Sequence, residues 1–262
     1  MRSTIRAAEP EVRIGCAGWS LPRAQWARFP AEGSHLERYA ASIDAVEIDS
    51  SFYRPHRRET YARWADSTPA DFRFAVKLPK TITHDSQLRN AMPAFDAFRA
   101  QVAGLGDKLG CLLIQLAPSH AFDAAIVRRF FVALRQRHAG ALALEPRHAT
   151  WFTVSADALL REFRVARVLA DPVLHAPGAL PGGWPELVYL RLHGTPRVYW
   201  SPYAHELLMA LAARLTRAQR EEGACCWCIF DNTASGEAVG NALALSAALS
   251  NPQDNKPKEN DT

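Results

Sequence analysis

The sequence predicts a closed (β/α)8 barrel of the TIM type, and three observations predict it. Eight short apolar runs are spread evenly along the 262 residues. Between the runs the apolar spacing changes from strand alternation to a helical period of about 3.6 residues. Links into the runs are short and plain, as in Gly106–Gly110 and His138–Gly140, whereas links out of them are longer and chemically richer. Strands and helices alternating in this way form a parallel barrel with its helices outside, and its active site lies at the carboxyl ends of the strands.

Taken in order, the strands are Val12–Trp19, Ala45–Phe52, Phe72–Pro79, Cys111–Pro118, Ala141–His148, Val165–Pro172, Val188–Gly194 and Ala224–Asn232. Leu36, Tyr39, Ala40 and Ile43 give a helical stripe after the first strand, and Tyr61, Trp64 and Ala65 give one after the second. Phe95, Phe98 and Val102 follow the third, and Ile126, Phe130, Phe131 and Leu134 the fourth. Ser155–Phe163 is a shorter helix with Ser155 as its expected N-cap. Val173–Glu186, with three prolines and three glycines, predicts an irregular loop in place of the helix after strand 6. Glu206–Arg220 and Glu237–Leu249 close the series.

Composition fits one domain, expected over residues 12–250 with disordered ends at 1–11 and 251–262. A chain with 48% hydrophobic residues buries one large core, and this barrel typically takes about 250 residues. The net charge of +4 is mild, and the arginines scatter over helix faces. No apolar stretch is long enough for a bilayer and no leader pattern precedes the first strand, so a cytoplasmic protein with no membrane partner is expected. Cys225 faces away from Cys226 and Cys228 in a strand, which makes the cysteines reduced core fillers rather than a metal cluster. Nothing in the sequence sets an oligomeric state.

The strand ends carry the polar side chains. They read Glu47 and Asp49, Lys77, Gln115, Glu145 with Arg147 and His148, Asp171, Arg191 with His193, then Asp231 and Asn232. Alternation puts Glu47 with Asp49, Glu145 with Arg147, and Arg191 with His193 on shared faces. Charges inside apolar strands need partners, so they form either a paired layer or a pocket. Aromatics in the outgoing loops (Trp19, Trp26, Tyr53, Trp151, Trp184, Tyr199, Trp200), together with His84, suggest walls for that pocket. Lys77, Arg147 and Arg191 suit a phosphate or carboxylate, Glu47 and Glu145 suit acid and base roles, and His193 suits proton transfer. Thr233, Ser235 and Gly236 are a candidate anion cradle or a plain helix cap.

Seven strings, GCAGWS, VEIDSSFYRP, FRFAVKLPKTITHD, LIQLAPSHAF, LEPRHATWF, YLRLHGTPRVYWSPY and FDNTASGEAVGNAL, resemble the signature segments of the YecE-like proteins, in the same order. The resemblance implies a single-domain TIM-like barrel and transfers no reaction, because that family is a domain of unknown function. Two departures stand out: Asp49 where Asn is common, and APSH where two prolines are usual.

The reading that follows is a metal-independent enzyme, without cofactor, acting on a small anionic or sugar-like substrate. Its catalytic set is Glu47, Glu145, Lys77 and His193. Its binding set is Trp19, Asp49, Tyr53, His84, Gln115, Arg147, His148, Asp171, Arg191, Tyr199, Trp200 and Asn232. The competing readings are a nucleic-acid-binding or metal-dependent phosphodiester hydrolase and a non-catalytic ligand sensor. A metal would draw on Glu47, Glu145, Asp171, His193 and Asp231, but no HxH, HExxH or DxD spacing supports one.

Overall fold

Strand β1 (Val12–Ala17) pairs in parallel with β2 (Ala45–Ile48) on one side and with the last strand, β10 (Cys225–Phe230), on the other, which closes the ring at the chain ends. This is a computed structural model, and it describes residues 11–250; the expected disordered segments 1–10 and 251–262 lie outside them. Glu11, counted with the disordered end, already belongs to the barrel: its carbonyl accepts from the Cys226 N–H at 2.7 Å.

From β2 the parallel ladder continues through β3 (Arg73–Lys77), β4 (Leu109–Gln115) and β5 (Ala141–Glu145). The expected sixth strand is divided. Its first half, β6 (Val165–Arg167), pairs with β5, and its second half, β7 (Leu169–Asp171), pairs with β9 (Leu187–Leu192). Val168 joins them and donates to the Leu144 carbonyl at 2.9 Å. One stave therefore bridges two neighbours, and β9 pairs with β10 to complete the circuit. The loop expected after it is irregular, with a 3-10 turn at Ala176–Ala179 and a short strand β8 (Gly182–Gly183) folded antiparallel onto β6.

The helices are α1 (His35–Ala40), α2 (Arg58–Asp66), α3 (Met92–Val102), α4 (Ala124–Arg135), α5 (Val154–Glu162), α6 (His205–Arg220) and α7 (Glu237–Ser250). Ser34 and Glu37 cap α1 reciprocally, and Asp123 caps α4. The cap of α5 is Thr153, whose extended backbone lets its Oγ1 accept from the Ala156 N–H; Ser155, the expected cap, sits inside the first turn.

Strand alternation divides the apolar side chains into two cores. Ile14, Val46, Ile48, Phe74, Val76, Leu112, Ile114 and Leu144 face outward and meet the helices. Ala45, Ala75, Cys111, Leu113, Ala143, Tyr189, Trp227 and Ile229 face inward. The inner set is mostly small on β2 to β5, which leaves room for Tyr189 and Trp227, register partners on β9 and β10, to stack side by side at 6.0 Å. This packed floor leaves the polar inward positions collected at the carboxyl end. The five cysteines are free, and burial pushes Cys16 and Cys226 up to about 12, so those thiols act as fillers.

Candidate functional site at the barrel mouth

Arg191, near the end of β9, is the centre of the polar layer. Its Nη2 donates to Glu47 at 2.6 Å and to Asp231 at 3.1 Å, its Nε to Glu47 at 3.1 Å, and its Nη1 to Glu145 at 2.8 Å. Both Asp49 oxygens lie 3.5 Å from the same Nη2. Arg191, Glu47 and Glu145 are all 0% exposed. A charge this deep persists only when every donor has an acceptor, and here one guanidinium serves four carboxylates.

Around that hub the expected residues take distinct places. Glu145 also accepts from Gln115 at 3.1 Å, pairs with Arg147 at 2.5 Å and lies 3.4 Å from His193 Nε2. His193 Nδ1 bonds Asp231 at 2.9 Å, and Arg147 Nη2 approaches His193 Nε2 at 3.3 Å. Lys77 sits 3.6 Å from Asp49 with its ammonium 4.5 Å from the centre of the Phe52 ring. A π-helical turn at Thr81–Asp85 carries His84 edge-on to the same ring, at 4.9 Å. Water reaches the layer mainly at the Asp49 and Arg147 side chains, 32% and 22% exposed. Arg147 Nε is buried without a hydrogen-bond partner among the described residues.

The carboxyls do not behave alike. Burial, reinforced by the charge of Asp49 and opposed by Arg191, pushes Glu47 up to about 8. Burial also acts on Asp49, but Arg191 and Lys77 outweigh it and hold that carboxyl below its usual range. For Glu145 burial is overcome by Arg191, His193 and Arg147, which hold it well below the ordinary carboxylate range. His193 is raised, because its bonds to Asp231 and Glu145 outweigh its burial.

Other expected residues stand apart from the hub. Asp171 accepts from the Thr195 hydroxyl at 2.6 Å and the Tyr203 hydroxyl at 2.7 Å, so it anchors the loop after β9. Asn232 is buried and donates to Ser201 at 3.0 Å and Asn241 at 2.9 Å, fastening that loop to α7. His148 closes a local turn with Thr150 at 2.9 Å. Ser235 donates to the Trp200 carbonyl, and the Gly236 N–H is bonded to Thr233, so the expected anion cradle is a closed turn. Trp151 is fully buried, with its Nε1 on the His120 carbonyl, and Trp184 packs against the inner core near the strand starts, so neither walls the mouth.

The rim keeps Trp19, Tyr53, Tyr199 and Trp200. Trp19 meets Trp64 edge-on at 5.0 Å and lines an open groove of about 410 Å³ shared with His35, Asp49 and Ser50. Tyr53 is 79% exposed. Gly194, at φ 99°, turns the chain out of β9, and Tyr199 follows at φ 68° with its ring edge-on to His193 at 5.7 Å. Tyr189 was not foreseen, although it shares the face of Arg191 and His193; its hydroxyl donates to Glu47 at 2.7 Å. Among the described residues no group of three or more His, Cys, Asp or Glu is arranged to hold a metal ion, and no helix is long and apolar enough to cross a membrane.

Comparison with known proteins agrees with this architecture. UPF0759 protein YecE of Escherichia coli K12 is 32% identical over 105 residues, covering 40% of this chain and 37% of that protein. UPF0759 protein YunF of Bacillus subtilis is 27% identical over 152 residues, covering 54% and 52%. The chain thus spans about half the length, or less, of the curated relatives it matches. A DUF72 family protein from Enterococcus faecalis superposes with a TM-score of 0.74 at 22% identity, over 95% of this chain and 100% of that one. One from Thermotoga maritima gives 0.73 at 24%, over 92% and 100%. Both likenesses concern the fold. The profile of the protein family of unknown function DUF72 matches residues 13–261, and the chain belongs to that family.

Proposed function

We propose that the barrel mouth binds a small anionic, sugar-like substrate and moves protons on it by carboxylate and imidazole chemistry. The observation that carries this reading is the pair of cations at the mouth, Lys77 and Arg147, each held by one carboxylate, Asp49 or Glu145, at the edge that water reaches. Arg191 is enclosed and shared among four carboxylates, so Lys77 and Arg147 are the cations that would turn from Asp49 and Glu145 to grip an anion. The groove beside Trp19 supplies a wall for a ring-shaped body.

Glu47 and Glu145, read from the sequence as the acid and base, are both enclosed, and substrate would meet Asp49 and Arg147 first, with His193 buried behind them. Glu47 and Asp49 face one guanidinium and are driven in opposite directions, so near neutral pH the couple holds one proton. Asp49 would exchange that proton at the mouth. His193, whose hold on a proton is strengthened by Asp231 and Glu145, would donate from the other side. Glu145 then acts as a positioning residue for Arg147 and His193.

The test is calorimetric binding of inorganic phosphate, a hexose phosphate and the unphosphorylated hexose. The hexose phosphate should bind, the neutral sugar should not, and Lys77→Met or Arg147→Met should each weaken binding about tenfold or more, as for loss of a charge-assisted bond. No binding by any anion, or unaltered affinity in both variants, overturns the proposal.

A second reading rests on the rim alone. The Arg197 guanidinium lies 4.3 Å from the Trp200 ring centre beside exposed Tyr199, an arrangement on which a nucleobase can stack. Single-stranded DNA that fails to bind at low salt removes it.

A further inference from the structure

We infer that the flank of the barrel, where its missing outer helix would stand, holds a second binding site, for an amphipathic carboxylate. The site is a cavity of about 300 Å³ between the end of α5, the loop leading into β9, and the inner face of α6. Its origin is topological. A chain that runs from β7 to β9 without an α-helix leaves the groove between α5 and α6 unfilled, and only the loop through Leu180 and Trp184 crosses it. That loop is drawn tightly to the sheet at Gly183, where φ is 68° and a Cβ would meet the Val165 carbonyl at 2.4 Å. The chain therefore arches over the gap without filling it.

The walls state the chemistry. Leu187, Val188, Leu190 and Leu215 line the cavity with Trp184 and form its apolar side. Arg161, Arg214 and Arg217 also line it. Arg161 gives one bond, from Nε to the Gly183 carbonyl at 3.1 Å. Among the described residues Arg214 and Arg217 have no hydrogen-bond or salt-bridge partner, and Glu222 is the carboxylate of the lining. Burial and the neighbouring Arg217 press the Arg214 guanidinium below its ordinary range, and the charge of Glu222 offsets them only in part. Elsewhere Arg167 pairs with Asp157 at 2.9 Å and Arg137 with Asp96 at 3.0 Å, whereas half-buried Arg135 is held by backbone carbonyls alone.

Two adjacent guanidiniums present forked donors that fit a carboxylate or a phosphate. The wall is polar and apolar in equal measure, which selects an occupant with a charged head and a hydrocarbon body, and the volume limits it to a short or medium chain. The fit is to a medium-chain carboxylate, its head on Arg214 and Arg217 and its chain along Trp184 and Leu187. The site stands on the barrel's flank and shares no residue with the mouth, so its fate is independent of the function proposed above.

Decanoate is the probe, titrated calorimetrically against the full chain, with decanol and inorganic phosphate in parallel. Decanoate should bind at one saturable site, and both decanol and phosphate at least tenfold more weakly. Arg214→Met and Arg217→Met should each weaken decanoate about tenfold while their melting temperatures stay near wild type. Arg147→Met should leave decanoate affinity unchanged. Equal binding of decanoate by the Arg214→Met/Arg217→Met double variant, absence of saturable binding, or loss of binding only in Arg147→Met would each overturn the assignment.

Discussion

Arg191 grips Glu47 through two of its guanidinium nitrogens, and neither side chain touches water. The pair ties β9 to β2 through the barrel interior, past β10 and β1. It fixes where the apolar floor ends and the polar mouth begins, so changes here test both stability and chemistry.

Arg191→Met should destabilise the fold by about 3–5 kcal/mol, because it strands buried carboxylates without their cation. Urea unfolding measures this. A loss below about 1 kcal/mol would mean that the carboxyls become neutral at little cost, and Arg191→Met/Glu47→Gln should recover part of the loss in either case.

The pH dependence of stability follows from opposite shifts. Glu47 rises from 4.5 to about 8, so the folded state holds a proton that the unfolded chain has released, and its stabilising contribution fades as pH rises through that interval. His193, raised from 6.5, adds stability that is full below 6.5 and lost above it. Glu145 and Asp49 are depressed, and their contributions disappear as pH falls below 4.5 and 3.8. The joint contribution of these four groups should therefore peak near pH 4.5 and decline toward pH 8, and Glu47→Gln should flatten that decline. A melting temperature that climbs from pH 6 to 8 in wild type would contradict this.

Asp49→Asn frees the Lys77 ammonium from its carboxylate partner. Hexose phosphate affinity should then increase several-fold, while turnover of any substrate later identified should fall. Weaker binding by Asp49→Asn would place Asp49, rather than Lys77, in contact with the ligand.

Thiol titration offers a check on the core. Cys16, Cys111, Cys226 and Cys228 are buried, whereas Cys225 is half-buried at the start of β10. A disulfide reagent should label no more than Cys225 in the native protein and all five cysteines after denaturation. Rapid native labelling of more than one thiol would show that the ring opens readily.

Much of the barrel was legible because its strands are short apolar runs, evenly spaced, that end in polar or charged residues. Glu47, Lys77, Glu145, Arg191 and His193 were found as polar breaks in apolar runs, and the structure brings all five together. Tyr189 escaped because a tyrosine inside LVYLRL reads as core, and only its parity with Arg191 signals the Glu47 bond. Asp171 and Asn232 stood at strand ends like the others, but their partners lie in a loop and in α7, contacts that strand periodicity does not encode. Position along a strand told which way a side chain faces, and only the folded loops told what met it.

The divided sixth stave has a mechanical consequence. It grips β5 by Val165–Arg167 and β9 by Leu169–Asp171, three residue pairs each, while β9 and β10 share six. The hoop is thus fastened at this seam by two half-length clasps offset along one strand. Amide exchange at Val165–Asp171 should outpace that of β9 and β10. Since the His193 N–H is tied to the Asp171 carbonyl at 2.8 Å, any slackening of the seam reaches the imidazole directly.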